Sequence, residues 1–157
     1  MVTLYLASTL YHSSTNPEKR KKLKVFDHSA IYFLIAGTYT PFALVTLKGV
    51  WGWTIFGIVW GIAVAGVIFK LFLTGKYNGL STLSYVLMGC VSVIAAKPLW
   101  HNLSADGLKW LITGGVAYLL GAAFYSIRKL PYNHAIFHFC VLAGTACHFT
   151  SVLGYVQ

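Results

Sequence analysis

GVWGWTIFGIVWGIAVAGVIF, residues 49–69, runs for twenty-one residues without a formal charge between Lys48 and Lys70. A helix of that length covers about 30 Å, the thickness of a bilayer's hydrocarbon core, so the stretch predicts a transmembrane helix. The pattern recurs along the chain. Twenty uncharged residues separate Asp27 from Lys48, residues 77–96 and 110–127 form two further apolar runs, and residues 130–157 carry no formal charge. Five spans result. Residues 1–14 would cover only about 21 Å as a helix, a partial span, and no basic leader or cleavage site marks them as a signal peptide. With 57% hydrophobic and 10% charged residues, an ordinary soluble domain is excluded. The expected architecture is all-α, a multi-span transmembrane helix bundle in one domain, residues 1–157, with helices near 1–14, 28–47, 50–70, 79–96, 108–127 and 133–155.

The charges predict its orientation. Lys19, Arg20, Lys21, Lys22 and Lys24 share the first loop, Lys70 and Lys76 flank the third, and Arg128 and Lys129 the fifth, leaving Lys48, Lys97 and Lys109 on the alternate side. By the positive-inside rule the odd loops are cytoplasmic and the C-terminus lies outside, in a multi-pass protein of the cell membrane. The net charge of +9 is thereby topology and implies no nucleic acid. Membrane lipids are the expected partners, the first loop attracting anionic ones at about 1 kcal/mol per basic residue. Trp51, Trp53, Trp100 and Trp110 sit near the outer ends as an interfacial belt.

Most other conspicuous residues read as packing devices. Gly57, Gly61 and Ala65 form a small-residue stripe, repeated by Ala117 and Gly121, which predicts close helix approach. Pro41 should kink the second span, with threonine hydroxyls nearby for the freed carbonyls; the kink serves helix packing or shapes a cavity. Pro98 and Pro131 fall at segment boundaries as turn residues. Cys90, Cys140 and Cys147 give no disulfide pattern, and the last two lie on the far face of the final helix from His134.

Three histidines break this apolar pattern at one depth. His12 ends the first helix, whereas His134 and His138 open the last, after Asn133, a candidate N-cap. Both ends are expected on the cytoplasmic side. Residues four apart on a helix stand about 40° and about 6 Å apart, so His134 and His138 can reach one ion and His12 can complete a three-nitrogen site. Such a set, with a position open for water, is the composition of a catalytic zinc site. Asp27, at the same level, either caps the second helix or takes a proton from the water. Ser8, one turn from His12, either bonds its own helix carbonyl or orients water or a substrate carbonyl, and Ser29 could do similar work. His148 is about 21 Å further along the last helix than His134, so it contacts a neighbouring helix or a ligand in the core. His101, in an outer loop, has no assigned role.

Ser8-Thr9-Leu10-Tyr11-His12, Asp27-His28-Ser29, Ala36-Gly37-Thr38-Tyr39-Thr40-Pro41-Phe42 and His134-Ala135-Ile136-Phe137-His138 together resemble the haemolysin III family, which is related to the progestin and adiponectin receptors and to alkaline ceramidases. The resemblance implies a seven-helix membrane protein with a cytoplasmic N-terminus. It implies zinc on His12, His134 and His138, with Asp27 and Ser8 around the water. Six of those helices are recognisable here; the family's first and the start of its second are missing. Two function classes are open. In one, the chain is a zinc-dependent hydrolase of a lipid amide or ester, with ceramide-like lipids as natural candidates and Asp27 as proton acceptor. In the other it is a receptor-like or haemolytic membrane protein with a structural zinc, although no span carries the polar stripe of a wide aqueous pore.

Overall fold

The computed structural model describes the backbone of residues 1–73, 78–127 and 129–157, with the side chains of residues 73–80 and 128 outside the description. Tyr77, Lys76 and Arg128, used above for a span boundary and for orientation, lie outside the described residues. The chain forms α1 (Val2–Ser13), α2 (Pro17–Pro41), a π-helical segment (Phe42–Leu47), α3 (Gly49–Leu73), α4 (Asn78–Gly89), α5 (Val91–Ile94), α6 (Ala96–Asn102), α7 (Ala105–Ser126) and α8 (Asn133–Tyr155). Among the described residues no strand occurs. Four spans are long and apolar enough to cross a membrane, 17–47, 49–72, 105–126 and 133–155. A fifth consists of residues 81–94 and 96–102, bent by 56°. The molecule is an all-α, multi-span membrane bundle.

The second span begins eleven residues earlier than expected. Asn16 Oδ1 accepts from the backbone N–H groups of Glu18 and Lys19 at 3.0 and 3.1 Å. Pro17 fills a position that needs no donor, and Glu18 sits at the positive helix end. These signals carry the helix through Lys19–Lys24, whose charge run had predicted a loop. Asp27 is consequently internal and only 3% exposed, which removes its capping role.

At the other end of this span Pro41 produces no sharp break. The helix widens into the π segment 42–47, while Thr38 and Thr40 donate to the carbonyls of Leu34 and Ala36 at 2.8 and 2.9 Å. The fourth span, in contrast, is broken where none was expected. It runs past Lys97 and Pro98 to Asn102, with interruptions at Cys90 and Ala95. Pro98 lies in the first turn of α6, where its missing N–H costs nothing. His101 is therefore on a helix and exposed, not in a loop.

Two apolar clusters hold the bundle. One gathers Tyr32, Phe42, Ile55, Val59, Met88 and Leu99 from α2 to α6; the other joins Leu4, Ala7, Ala30 and Val141 of α1, α2 and α8. In lipid, close backbone approach matters more than apolar area, and α7 and α8 achieve it through glycines spaced by seven. A Cβ on Gly107, Gly114 or Gly121 would fall 2.7 Å from Tyr155, 2.2 Å from His148 or 2.8 Å from Cys140. The expected pairing through Ala117 and Gly121 thus captured one member of the actual series. The stripe on α3 does not pack as expected: Gly57 and Gly61 are exposed, with open space where a Cβ would stand. The three cysteines are free, and Cys90 is exposed at the α4–α5 break.

Candidate metal centre

The C-terminal end of α1 meets the N-terminal end of α8. His134 Nε2 lies 3.1 Å from His12 Nε2 and 3.0 Å from His138 Nε2, and Ser8 Oγ lies 3.1 Å from His138 Nε2. The same ring nitrogen of each imidazole enters the cluster. Residues 134 and 138 do so because they stand one turn apart on one face of α8. α1 is tied to that face by Tyr5, whose hydroxyl donates to the His138 carbonyl at 3.0 Å. Arg20 lies over the Tyr11 ring at 5.4 Å, joining the start of α2 to the end of α1.

Asn133 does not cap α8 with its side chain. Tyr132 is the N-cap, in a left-handed conformation with φ 57°, and the Asn133 amide donates to the carbonyls of Tyr125 and Ile127 at 3.3 and 3.4 Å. The start of α8 is thereby clamped to the end of α7. The Tyr125 ring packs against His134, with centroids 5.7 Å apart.

Ser8 and Asp27 are 6% and 3% exposed, while His12 is exposed and His134 and His138 are half-buried. The Ser8 hydroxyl and the His12 imidazole both act on the Asp27 carboxylate. The structure thus brings Ser8, His12, Asp27, His134 and His138 together. Ser29 is buried but does not line the adjoining cavity. His148 donates from Nε2 to the Leu111 carbonyl of α7 at 3.0 Å, the neighbouring-helix contact expected of it.

The donor chemistry fits a divalent metal in kind. A single ring nitrogen carries one proton or one lone pair, so His134 Nε2 cannot form a full hydrogen bond with both neighbours. In spacing the set is tighter than a finished site: two nitrogens on a tetrahedral zinc stand about 3.3 Å apart. Among the described residues no group of three or more His, Cys, Asp or Glu side chains has metal-site geometry. His138 Nδ1 is buried without the partner that usually orients a ligand imidazole.

A cavity of about 420 Å³ runs from these residues into the bundle. Asp27, His28, His134 and His138 line one end, Leu99 and Trp100 the other. The wall between is almost wholly apolar, from α2, the broken span, α7 and α8. Val93 and Trp100 on one side and Ile112 and Leu119 on the other line it and are also exposed, so the cavity opens sideways between the broken span and α7.

Sequence reasoning missed two parts of this region. Lys70, taken as a loop marker, is 1% exposed, and its Nζ lies 3.0 Å from His28 Nδ1. Tyr85 donates to the His28 carbonyl at 3.0 Å. A lysine ending an apolar run gives little sign of burial, because the same position serves equally to snorkel.

Residues 1–149 match the family model described as "Haemolysin-III related". The chain is 50% identical to the "Hemolysin-3" of Bacillus cereus over 156 residues, covering 99% of this chain and 71% of that protein. It is 48% identical to the "Hemolysin-3 homolog" of Bacillus subtilis (strain 168) over 155 residues, 99% of this chain and 73% of that one. It is 27% identical to the human "Monocyte to macrophage differentiation factor" over 164 aligned residues, 99% of this chain and 67% of that protein. No solved structure matches. Carrying that family's pattern along nearly its whole length, this membrane protein belongs to the haemolysin-III-related family.

Proposed function

We propose that the chain is a zinc-dependent hydrolase of a lipid amide or ester, with His12, His134 and His138 holding the ion. Its site lies on the cytoplasmic side of the cell membrane and its C-terminus outside, as the charge distribution argues. The observation that carries the reading is the meeting of three Nε2 atoms around His134, a pattern that hydrogen bonding alone leaves unsatisfied. Bound there, zinc would supply Lewis-acid activation of water. Asp27, buried beside Ser8 and His12, accepts the proton at its carboxylate, and Ser8 orients the reacting groups. The apolar cavity takes the chain of a lipid that enters from the bilayer, and its volume lies in the range of small-molecule sites.

Elemental analysis of purified protein tests the metal: His12→Ala and His138→Ala should lose most of the zinc, and zinc retained at the parental level overturns the assignment. Asp27→Ala should keep much of the metal and release no fatty acid from a panel of ceramides and other lipid amides that the zinc-replete parent cleaves. A second reading, zinc as a structural clip, has one observation on its side. The imidazoles join α1 to α8, two helices whose backbones otherwise touch little. Zinc-replete protein that cleaves nothing, and falls apart on chelation, would establish the clip instead.

A further inference from the structure

Asp27 and His28 are consecutive on α2, about 100° apart around its axis. Asp27 accordingly faces α1, and His28 faces α3. There Lys70 Nζ approaches His28 Nδ1 at 3.0 Å. An ammonium has three donors and no acceptor, so Nδ1 must accept, and the proton of the neutral ring resides on Nε2. The Tyr85 hydroxyl holds the backbone of the same residue, and Tyr85 is itself stacked edge-on against Tyr32, with centroids 4.6 Å apart. His28 is thus held in position, and a charged Lys70 favours the Nε2–H tautomer.

The remaining nitrogen has space before it. Among the described residues the contact from Lys70 is the one that reaches the His28 ring. Nε2 is not among the buried polar atoms left without a partner, which are Thr46 Oγ1, His138 Nδ1 and His148 Nδ1. His28 lines the cavity beside Asp27, His134 and His138. Lys24, Lys70 and His134 act on it electrostatically, and two of these carry positive charge. An N–H donor at the polar end of an apolar cavity, backed by two cations, suits an oxygen that bears or acquires negative charge.

We propose that His28 is the donor that holds the acyl oxygen of the lipid, the carbonyl of an amide or ester or the carboxylate of the released fatty acid. Lys70 is a positioning residue that sets the His28 tautomer. The role in turnover rests on the hydrolase reading, whereas the binding does not require metal, so the two can fail separately.

The experiment uses chelator-treated protein in lipid nanodiscs, labelled with ¹⁵N-histidine, the His28 signals being those lost in His28→Gln. The parent should show a protonated Nε2 and an unprotonated Nδ1 at His28. Lys70→Arg should keep that tautomer and Lys70→Met should mix it, while the signals of the other histidines report that the fold is intact. Palmitate should bind the parent about tenfold more tightly than His28→Phe, and hexadecanol should bind both alike. His28→Gln, which retains an N–H donor, should recover part of the palmitate affinity. A protonated Nδ1 in the parent, or palmitate and hexadecanol affinities that fall together, overturns the proposal. If the palmitate preference depends on His28 but zinc-loaded protein cleaves no lipid, the hydrolase reading fails alone. If His28→Phe cleaves lipid amides at the parental rate, the His28 assignment fails alone.

Discussion

The α7–α8 hairpin and the broken span α4–α6 are adjacent, and both line the cavity, yet they are built on opposite principles. α7 and α8 approach along Gly107, Gly114 and Gly121 and are joined by polar contacts. Tyr118 meets Thr145 at 2.7 Å, and Ser151 donates to the Gly107 carbonyl at 2.8 Å. The broken span leans on α2 through Tyr39, whose hydroxyl donates to the Gly89 carbonyl and accepts from the Ser92 N–H. Its outer face carries exposed Val93, Ile94 and Trp100. Two of the three clustered histidines stand on the tight pair, and the side opening lies where it meets the loose one. Under the proposed reading, metal ligands would need the fixed backbone of the pair and a lipid would enter past the wall with fewer attachments.

The largest expected effect is at Gly114, where a side chain meets the His148 ring and the Gly144 carbonyl, 2.9 Å from a Cβ. Gly114→Leu should force the hairpin apart, at about 1–3 kcal/mol or more for such overpacking. Thermal unfolding in detergent should fall by several degrees, with zinc lost in parallel. Unchanged melting would mean that the hairpin is not the rigid side. An intermediate effect is expected at Tyr39→Phe, which removes both hydrogen bonds between α2 and the broken span. It should cost about 1–3 kcal/mol while zinc content stays at the parental level; a matching loss of zinc would show that the two regions are not separable. The smallest belongs to Gly89→Ala. A Cβ there meets nothing within 4 Å, and alanine favours helix over glycine by up to about 1 kcal/mol. Melting should hold or rise slightly, and a marked fall would reveal packing against the broken span that the structure does not contain.

Charge spacing alone made the spans legible, because a bilayer imposes one length and tolerates few charges. α8 has the expected bounds, 133–155, and α3 extends a few residues beyond those expected. The histidine cluster was legible for a similar reason: helix direction and rise place residues 12, 134 and 138 at one depth without further knowledge. Three features were not. The start of α2 was masked by its lysines, although Asn16-Pro17-Glu18 is a good helix opening. The break at Cys90 carries no proline or charge, Tyr39 taking up the Gly89 carbonyl there, whereas the one at Ala95 precedes Pro98, whose missing N–H leaves the Ile94 carbonyl without its helical donor. The Lys70–His28 contact depends on the rotation of α3 against α2, which single-helix periodicity does not fix. The seven-residue glycine series on α7 stands in the sequence, where the four-residue spacing of Ala117 and Gly121 competes with it as a packing signal.

The amide of Asn133, clasped on the carbonyls of Tyr125 and Ile127, makes the corner rather than the connecting loop the datum from which His134 is positioned. Extra residues inserted between Leu130 and Pro131 would lengthen a surface excursion at an entropic cost that grows only logarithmically, and the imidazole would keep its place. Variation in the length of this turn should therefore be tolerated, while replacement of the single asparagine beside it should not.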